Sequence, residues 1–333
     1  MQYELRTQVI EAKRKTFTNL TARFGDRPAS RYEEGSIDIQ AVTNFHYRPL
    51  WDPEHELYDP TYSALRLTDP YSFTDPRQLY YYPYVTARSH LHEAFASTLS
   101  YLESRSLMEK LPEGWKAALA QAVIPMRHYE AGAQMISADG CRFAYGTTIE
   151  QCLSYASFDR IGTAQLLSKA GITLDGGTDS LLGAAKTHWL ENADLQPLRR
   201  YVEQLLIEKD WAVAHVGLDL VDQMLYGLLY AHLDEAALLG GAGGYSLIAQ
   251  HLSGWFADHR RWVDALYKAW LADAEHGESN RAALAGAVAR LLPGATDAVA
   301  GVARIIDGHL SVGAEDYVTA RSAGLAGLFA KES

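Results

Sequence analysis

Residues 197–241 read PLRRYVEQLLIEKDWAVAHVGLDLVDQMLYGLLYAHLDEAALLGG. Pro197 suits the first turn of a helix, where its missing N–H has no intrahelical partner to lose. Gly240-Gly241 supply the stop. Between them Val202, Leu205, Leu206, Val213, Val216, Leu220, Met224 and Leu228 recur at intervals of three and four, the period of an amphipathic helix. The spacing predicts one helix over 197–239, about 60 Å long at ~1.5 Å per residue, with Gly217 and Gly227 as points of bending. So long an element without heptads suits a large helical bundle better than a globin or a repeat solenoid.

The same texture extends outward. Helix-length segments with short Gly or Pro punctuation are expected at 86–110, 113–138, 144–170, 178–190, 244–275, 278–292, 296–310 and 313–330. Residues 1–85 differ from this helical body at 86–333. Seven of the 11 prolines fall there. Between Gln40 and Tyr84 stand Phe45, Tyr47, Trp51, Tyr58, Tyr62, Tyr71, Phe73, Tyr80, Tyr81, Tyr82 and Tyr84. Repeated proline forbids a long helix, and no strict alternation supports a sheet. An irregular aromatic arm cannot bury its own rings, so it must lie against its own body or another chain. The fold class expected is all-α, a long-helix bundle with an extended N-terminal arm.

Composition narrows the function. The chain has 333 residues, 30 Lys+Arg against 41 Asp+Glu, and a net charge of −11. That balance disfavours nucleic acid and anionic membrane surfaces. No run of about 18 apolar residues exists to span a bilayer, and the N-terminus lacks the apolar core of a secretory signal. Cys141 and Cys152, placed on one helix, would stand about 16 Å apart, beyond the ~7 Å reach of a disulfide. A reduced, cytoplasmic protein is expected.

A long-helix bundle raises the carboxylate-bridged di-iron centre, which needs two Glu-x-x-His pairs facing inward. No Glu in the chain has His three residues later. Asp52–His55 and Asp273–His276 have that spacing with Asp, but one contains Pro53 and the other runs into Gly277. Glu208, His215, Asp219 and Asp222 fall within an ~60° sector of the 197–239 helix, with Trp211 at its edge. They read more readily as a polar face, opposite the apolar stripe, that pairs with another helix or another chain than as half a metal site. His90, His92 and Glu93, like His128 and Glu130, alternate in a way that does not align them on one helix face. They read as surface or hydrogen-bonded core residues. LDGGTDS at 174–180 lacks the Gly-Lys-[Ser/Thr] of a phosphate loop; it reads as a Gly turn entering a helix capped by Thr178 or Asp179. No nucleophile elbow, paired Cys-x-x-Cys or dinucleotide fingerprint is present.

RFGDRPASRYEE (23–34), AVTNFHYRPLWDPEHELYDP (41–60) and DPRQLYYYPYV (75–85) resemble the N-terminal part of the oxygenase beta subunit of bacterial multicomponent phenol hydroxylases. LDGGTDS (174–180), HWL (188–190), RRYVEQ (199–204) and RWVDALYK (261–268) continue the resemblance in order, over about residues 10–275. The resemblance implies a ferritin-like bundle and a dimer of alpha, beta and gamma trimers, with the di-iron centre in the partner alpha subunit and no cofactor in this chain. It implies a non-catalytic role, supporting the alpha subunit and joining the two halves. A regulatory protein and an NADH-dependent flavin/iron–sulfur reductase would act on the complex, and phenol or a related aromatic would be its substrate. The arm would wrap the neighbouring subunit, with Phe45, Tyr47, Arg48, Trp51, Tyr58, Tyr80, Tyr81 and Tyr82 as its interface. Two alternatives stand beside this: the beta subunit of an alkene or propane monooxygenase, and an autonomous helical metal enzyme using His215, Asp219 and Asp222.

Overall fold

The computed structural model describes residues 17–40 and 54–329, and among them there is no strand. The N-terminal part carries two short helices, α1 (Thr18–Phe24) and α2 (Arg31–Ser36). The body is built from α3 (Tyr81–Ser104), α4 (Glu113–Ala118), α5 (Met126–Phe143), α6 (Thr147–Leu174), α7 (Ser180–Glu191) and α8 (Gln196–Leu206). It continues with α9 (Trp211–Gly227), α10 (Leu233–Leu239), α11 (Gly243–Ala272), α12 (Gly277–His309) and α13 (Ala314–Leu325). The architecture is the helical bundle expected from the sequence.

The helix expected over 197–239 is interrupted. α8 ends at Leu206, and Asp210 starts a new helix by accepting the backbone N–H groups of Ala212 (2.9 Å) and Val213 (3.3 Å). The same carboxylate accepts the N–H of Ala64 at 2.7 Å, from 146 residues away. α9 then passes through one π turn, Leu228–His232, into α10. Every residue from Trp211 to Tyr226 is buried, so α9 is the central helix, covered on all sides. α5 and α6 form an antiparallel pair against it, α11 closes the far side, and α12 lies across α8 and α9. α12 runs straight through Pro293, where two separate helices were expected; the body packed along both halves outweighs one lost backbone hydrogen bond.

Two further boundaries differ from the sequence reading. α3 begins at Tyr81 rather than at 86, because Pro83 falls in the first turn, where N–H groups have no intrahelical acceptor anyway. Tyr81 and Tyr82 therefore stand on a helix, not in the irregular arm. Cys141 and Cys152 lie on different helices, α5 and α6, joined by a turn at 144–146; both are free thiols. At that turn Gly146 has φ +118°, and a Cβ there would lie 2.6 Å from the Pro70 carbonyl oxygen, so the arm presses directly on it.

The described arm is fastened to its own body. The backbone of Ile39 and Gln40 donates to the Thr147 hydroxyl, and the Gln40 amide bridges Ala144 O, Glu150 and the Gly146 N–H. Further along, Arg66 exchanges backbone hydrogen bonds with the Asn280 amide, and Thr68 donates twice to Asp273. Leu65 and Phe73 enter the common core.

Candidate functional site: a charged cluster at the centre of the bundle

Four helices converge on one buried cation. Arg160 of α6 is fully buried. Its Nη1 donates to Glu130 Oε2 of α5 at 3.1 Å and to Asp222 Oδ1 of α9 at 3.0 Å, while Nη2 donates to Asp222 Oδ2. Two phenols complete the ring: Tyr129 donates to Asp222 (2.7 Å) and Tyr226 to Glu130 (2.5 Å). The fourth helix, α11, contributes the Trp255 ring, whose centroid lies 5.2 Å from the guanidinium carbon.

The electrostatics follow from burial. Loss of solvent pushes the Glu130 carboxyl up to about 7, although Arg160 pulls the other way. Burial disfavours the Arg160 cation, but Asp222 and Glu130 outweigh it and hold the guanidinium more firmly protonated than usual. Burial beside these carboxylates also raises both tyrosines well above their ordinary range. The guanidinium holds both oxygens of Asp222 and one of Glu130, while Tyr129 donates to Asp222 Oδ1 and Tyr226 to the second Glu130 oxygen, so each carboxyl is bonded by the cation and by a phenol.

The sequence-derived face separates into different roles. Asp222 joins the Arg160 cluster. Asp219 instead takes Arg260 of α11, the Tyr267 hydroxyl (3.0 Å) and the Gln223 amide (2.9 Å). His215 meets the Trp262 ring edge-on at 5.2 Å, and its buried Nε2 has no hydrogen-bond partner. Glu208 lies in the α8–α9 break and pairs with Arg290 of α12 at 2.8 Å, so it leaves the face to which a continuous helix would assign it. The polar face does pair with other helices, from inside the core.

The remaining candidates are structural in their contacts. Asp273 accepts the backbone N–H of Glu275 and His276, so Asp273-x-x-His276 is a helix-entry turn. In LDGGTDS the capping carboxylate is Asp175, not Thr178 or Asp179: it accepts both the Thr178 and Ser180 hydroxyls and the Leu181 N–H. Gly176 and Gly177 both take positive φ there. His128 stacks near Trp189, and His90 is exposed. Of the arm residues, Phe45, Tyr47, Arg48 and Trp51 lie outside the described residues. Tyr58 and Tyr80 are half-buried, whereas Tyr81 and Tyr82 are 73 % and 71 % exposed.

Sequence reasoning missed Arg160 and a second network. Tyr84 stacks on Tyr155 at 4.2 Å and donates to Asp159, which also holds Arg88 at 2.7 Å. Arg88 and the arm's Arg77 share Asp258 of α11. One signal was available: Asp159-Arg160 is an isolated charged pair between Glu150 and Lys169 in an otherwise uncharged helix.

These residues do not fit a di-iron centre. At the point where facing helices would present ligands, two carboxylates are already bonded to a guanidinium. Among the described residues, no group of three or more His, Cys, Asp or Glu side chains is placed to hold a metal ion. A depression of about 270 Å³ near Glu103, Ser106 and Thr173 lies at the far ends of α3 and α6, with no converging acid, base or nucleophile triad. Among the described residues, no helix is long and apolar enough to cross a membrane.

The comparisons with known proteins agree with this architecture. The family model described as methane/phenol/alkene hydroxylase matches residues 51–274. The chain is 42 % identical to the phenol 2-monooxygenase oxygenase component DmpL of Pseudomonas sp. strain CF600, over 82 % of this chain and 83 % of that one. It is 27 % identical to the hydroxylase component subunit beta of the toluene-4-monooxygenase system of Ectopseudomonas mendocina, over 59 % and 61 %. The structure superposes on a chain of the phenol hydroxylase from Pseudomonas sp. OX1 with a TM-score of 0.85 and 35 % identity, covering 97 % of this chain and 98 % of that one. With most of its length accounted for by a family model and by a close relative, the chain belongs to the methane/phenol/alkene hydroxylase family.

Proposed function

We propose that the chain is the non-catalytic beta subunit of a soluble, di-iron multicomponent monooxygenase that hydroxylates phenol or a related aromatic. The observation that carries this reading is the bundle centre: Arg160, Glu130 and Asp222 form a closed ion-paired unit there. Iron would then reside in a partner alpha subunit, with a small gamma subunit and a second beta subunit completing the assembly. A regulatory protein and an NADH-dependent flavin/iron–sulfur reductase would serve the complex in the cytoplasm. Relatives named as oxygenase components of phenol 2-monooxygenases support the substrate class.

The proposed interface joins the arm residues Phe45, Tyr47, Arg48, Trp51, Tyr58 and Tyr80 to Tyr81 and Tyr82. The last two are large, exposed rings on a rigid helix, a pattern typical of binding hot spots. Co-expression with the neighbouring hydroxylase genes, followed by mass measurement and iron analysis, tests the reading. A complex with iron only when the partner is present is expected, with Trp51→Ala weakening assembly by about 2 kcal/mol. About two irons per chain in this subunit purified alone would overturn it.

A further inference from the structure

We propose that the outward face of the α5–α6 pair is the surface on which the partner alpha subunit lays an apolar helix face bordered by acidic residues. The inference rests on the subunit reading and adds to it a main contact surface beyond the arm and the start of α3.

A helix on the outside of a bundle ordinarily turns charged side chains to water. This pair does not. On α5 the outward positions between Arg127 and Arg142 are Ala131, Gln134, Met135 and Ala138, spaced at three and four residues. On α6 the corresponding positions between Gln151 and Lys169 are Ser154, Phe158, Ile161 and Gln165. The two charges that α6 carries in this stretch, Asp159 and Arg160, are buried and bonded inside the bundle. Polar groups along the seam bond each other. The Gln134 amide donates to the Ser157 hydroxyl at 3.1 Å, and Cys141 and Ser154 share a hydrogen bond at 2.8 Å. What remains is largely apolar, with Met135, Phe158 and Ile161 49 %, 53 % and 47 % exposed.

The patch continues onto α3. Tyr84 stacks on Tyr155, and its ring centroid lies 6.4 Å from that of Phe158. The same first turns carry Tyr81, Tyr82 and Val85, all exposed, beside α6. At ~200 Å² for a large side chain, these six exposed residues present roughly 700 Å², above the ~300–600 Å² of the largest patch on a typical monomer and close to the ~800 Å² that each partner gives to a stable interface. An area of that size calls for a protein partner.

Charge selects which one. Four charged residues close the face at its ends: Arg127 and Arg142 on α5, Glu150 and Lys169 on α6. Three of them are basic, in a chain of net charge −11. A second copy, meeting the first through the same patch, would bring the same mostly basic frame to itself. An alpha subunit with a long apolar helix face bordered by Asp and Glu complements it. Ala131, Ala138 and Ser154 are small enough to let such helices approach closely.

The test co-expresses the full chain with a tagged alpha subunit and measures how much of the chain is recovered on the tag. Ile161→Glu and Met135→Glu, on different helices, should each lower recovery about tenfold or more. Leu239→Glu makes the same change at an exposed leucine at the end of α10 and should leave recovery unchanged. Hydroxyl-radical footprinting of the wild-type complex requires no variant to fold: Met135 and Phe158 should be labelled several-fold less than in the chain alone. Normal recovery of both variants, or undiminished labelling, overturns the proposed face and leaves the subunit reading standing. Equal loss with Leu239→Glu overturns it too. So does a dimer of the chain alone that Ile161→Glu abolishes, which assigns the face to a second copy. A wild-type chain that the alpha subunit does not recover overturns both readings.

Discussion

Glu130 shows how a single side chain couples core packing to pH. Desolvation keeps its carboxyl protonated up to about 7 in the folded protein, against 4.5 for the unreacted group. The folded state therefore holds this proton more tightly than the unfolded one. Its contribution is fully present below about pH 4.5 and is lost as pH rises through about 7. Glu130→Gln should remove this term, and the stability difference between wild type and variant should drift by on the order of 3 kcal/mol between pH 5 and 8. Parallel urea titrations across that range measure it; identical pH profiles would show that Glu130 is not protonated preferentially in the fold. Arg160 was hard to read from sequence for a related reason. One charged residue in a helix reads as solvated surface, and only the meeting of four helices makes it a core residue.

At the scale of elements, side-chain caps decide where helices begin. Asp210 closes the N-terminus of α9 and holds Ala64 of the arm with the same carboxylate. Asp210→Ala should cost about 1–2 kcal/mol and speed amide exchange at Ala212, Val213 and Ala64 together; unchanged exchange at Ala64 would mean the arm is held elsewhere. The bundle itself was legible because apolar residues at three- and four-residue spacing survive any local irregularity. The break at 207–210 was not, because Glu208, Lys209 and Asp210 suit an exposed helix face and the interruption is set by a partner 146 residues away. Pro293 misled in the opposite direction, since local propensity marks an end where neighbouring helices on both sides keep α12 continuous. At the central site, the pairing of Asp219 and Asp222 with other helices was legible from their shared face. Their division between Arg260 and Arg160 was not, because it depends on which helix packs against each side of α9.

At the scale of the whole molecule, ion pairs tie the arm, α3, α6 and α11 into one unit. Asp258 is the joint: it is shared between Arg77 and Arg88, and Arg261 pairs with it from the surface. Asp258→Asn leaves Arg77 on Asp75 and Arg88 on Asp159, so the helices should persist while the arm loosens. Limited proteolysis within residues 54–80 should accelerate several-fold with an unchanged far-ultraviolet circular dichroism spectrum. Cleavage at the wild-type rate would show that the hydrogen bonds to Asp210, Asp273 and Asn280 hold the arm unaided.

Those same fastenings impose an order in time on the growing chain. The arm is synthesised early, yet Thr68 is received by Asp273, 205 residues later, and Arg66 by Asn280, 214 residues later. At ~5–20 residues per second, about 10–40 seconds separate the appearance of the arm from that of its last receptor. Throughout that interval the stretch around Arg66 and Thr68, in a segment rich in tyrosine and proline, waits on the ribosome without its last receptors, although Thr147 and Asp210 are made before them. The nascent protein is therefore most vulnerable to mispairing before its final third is made, and a chaperone or an early-arriving partner would do most for its yield by occupying the arm during that wait.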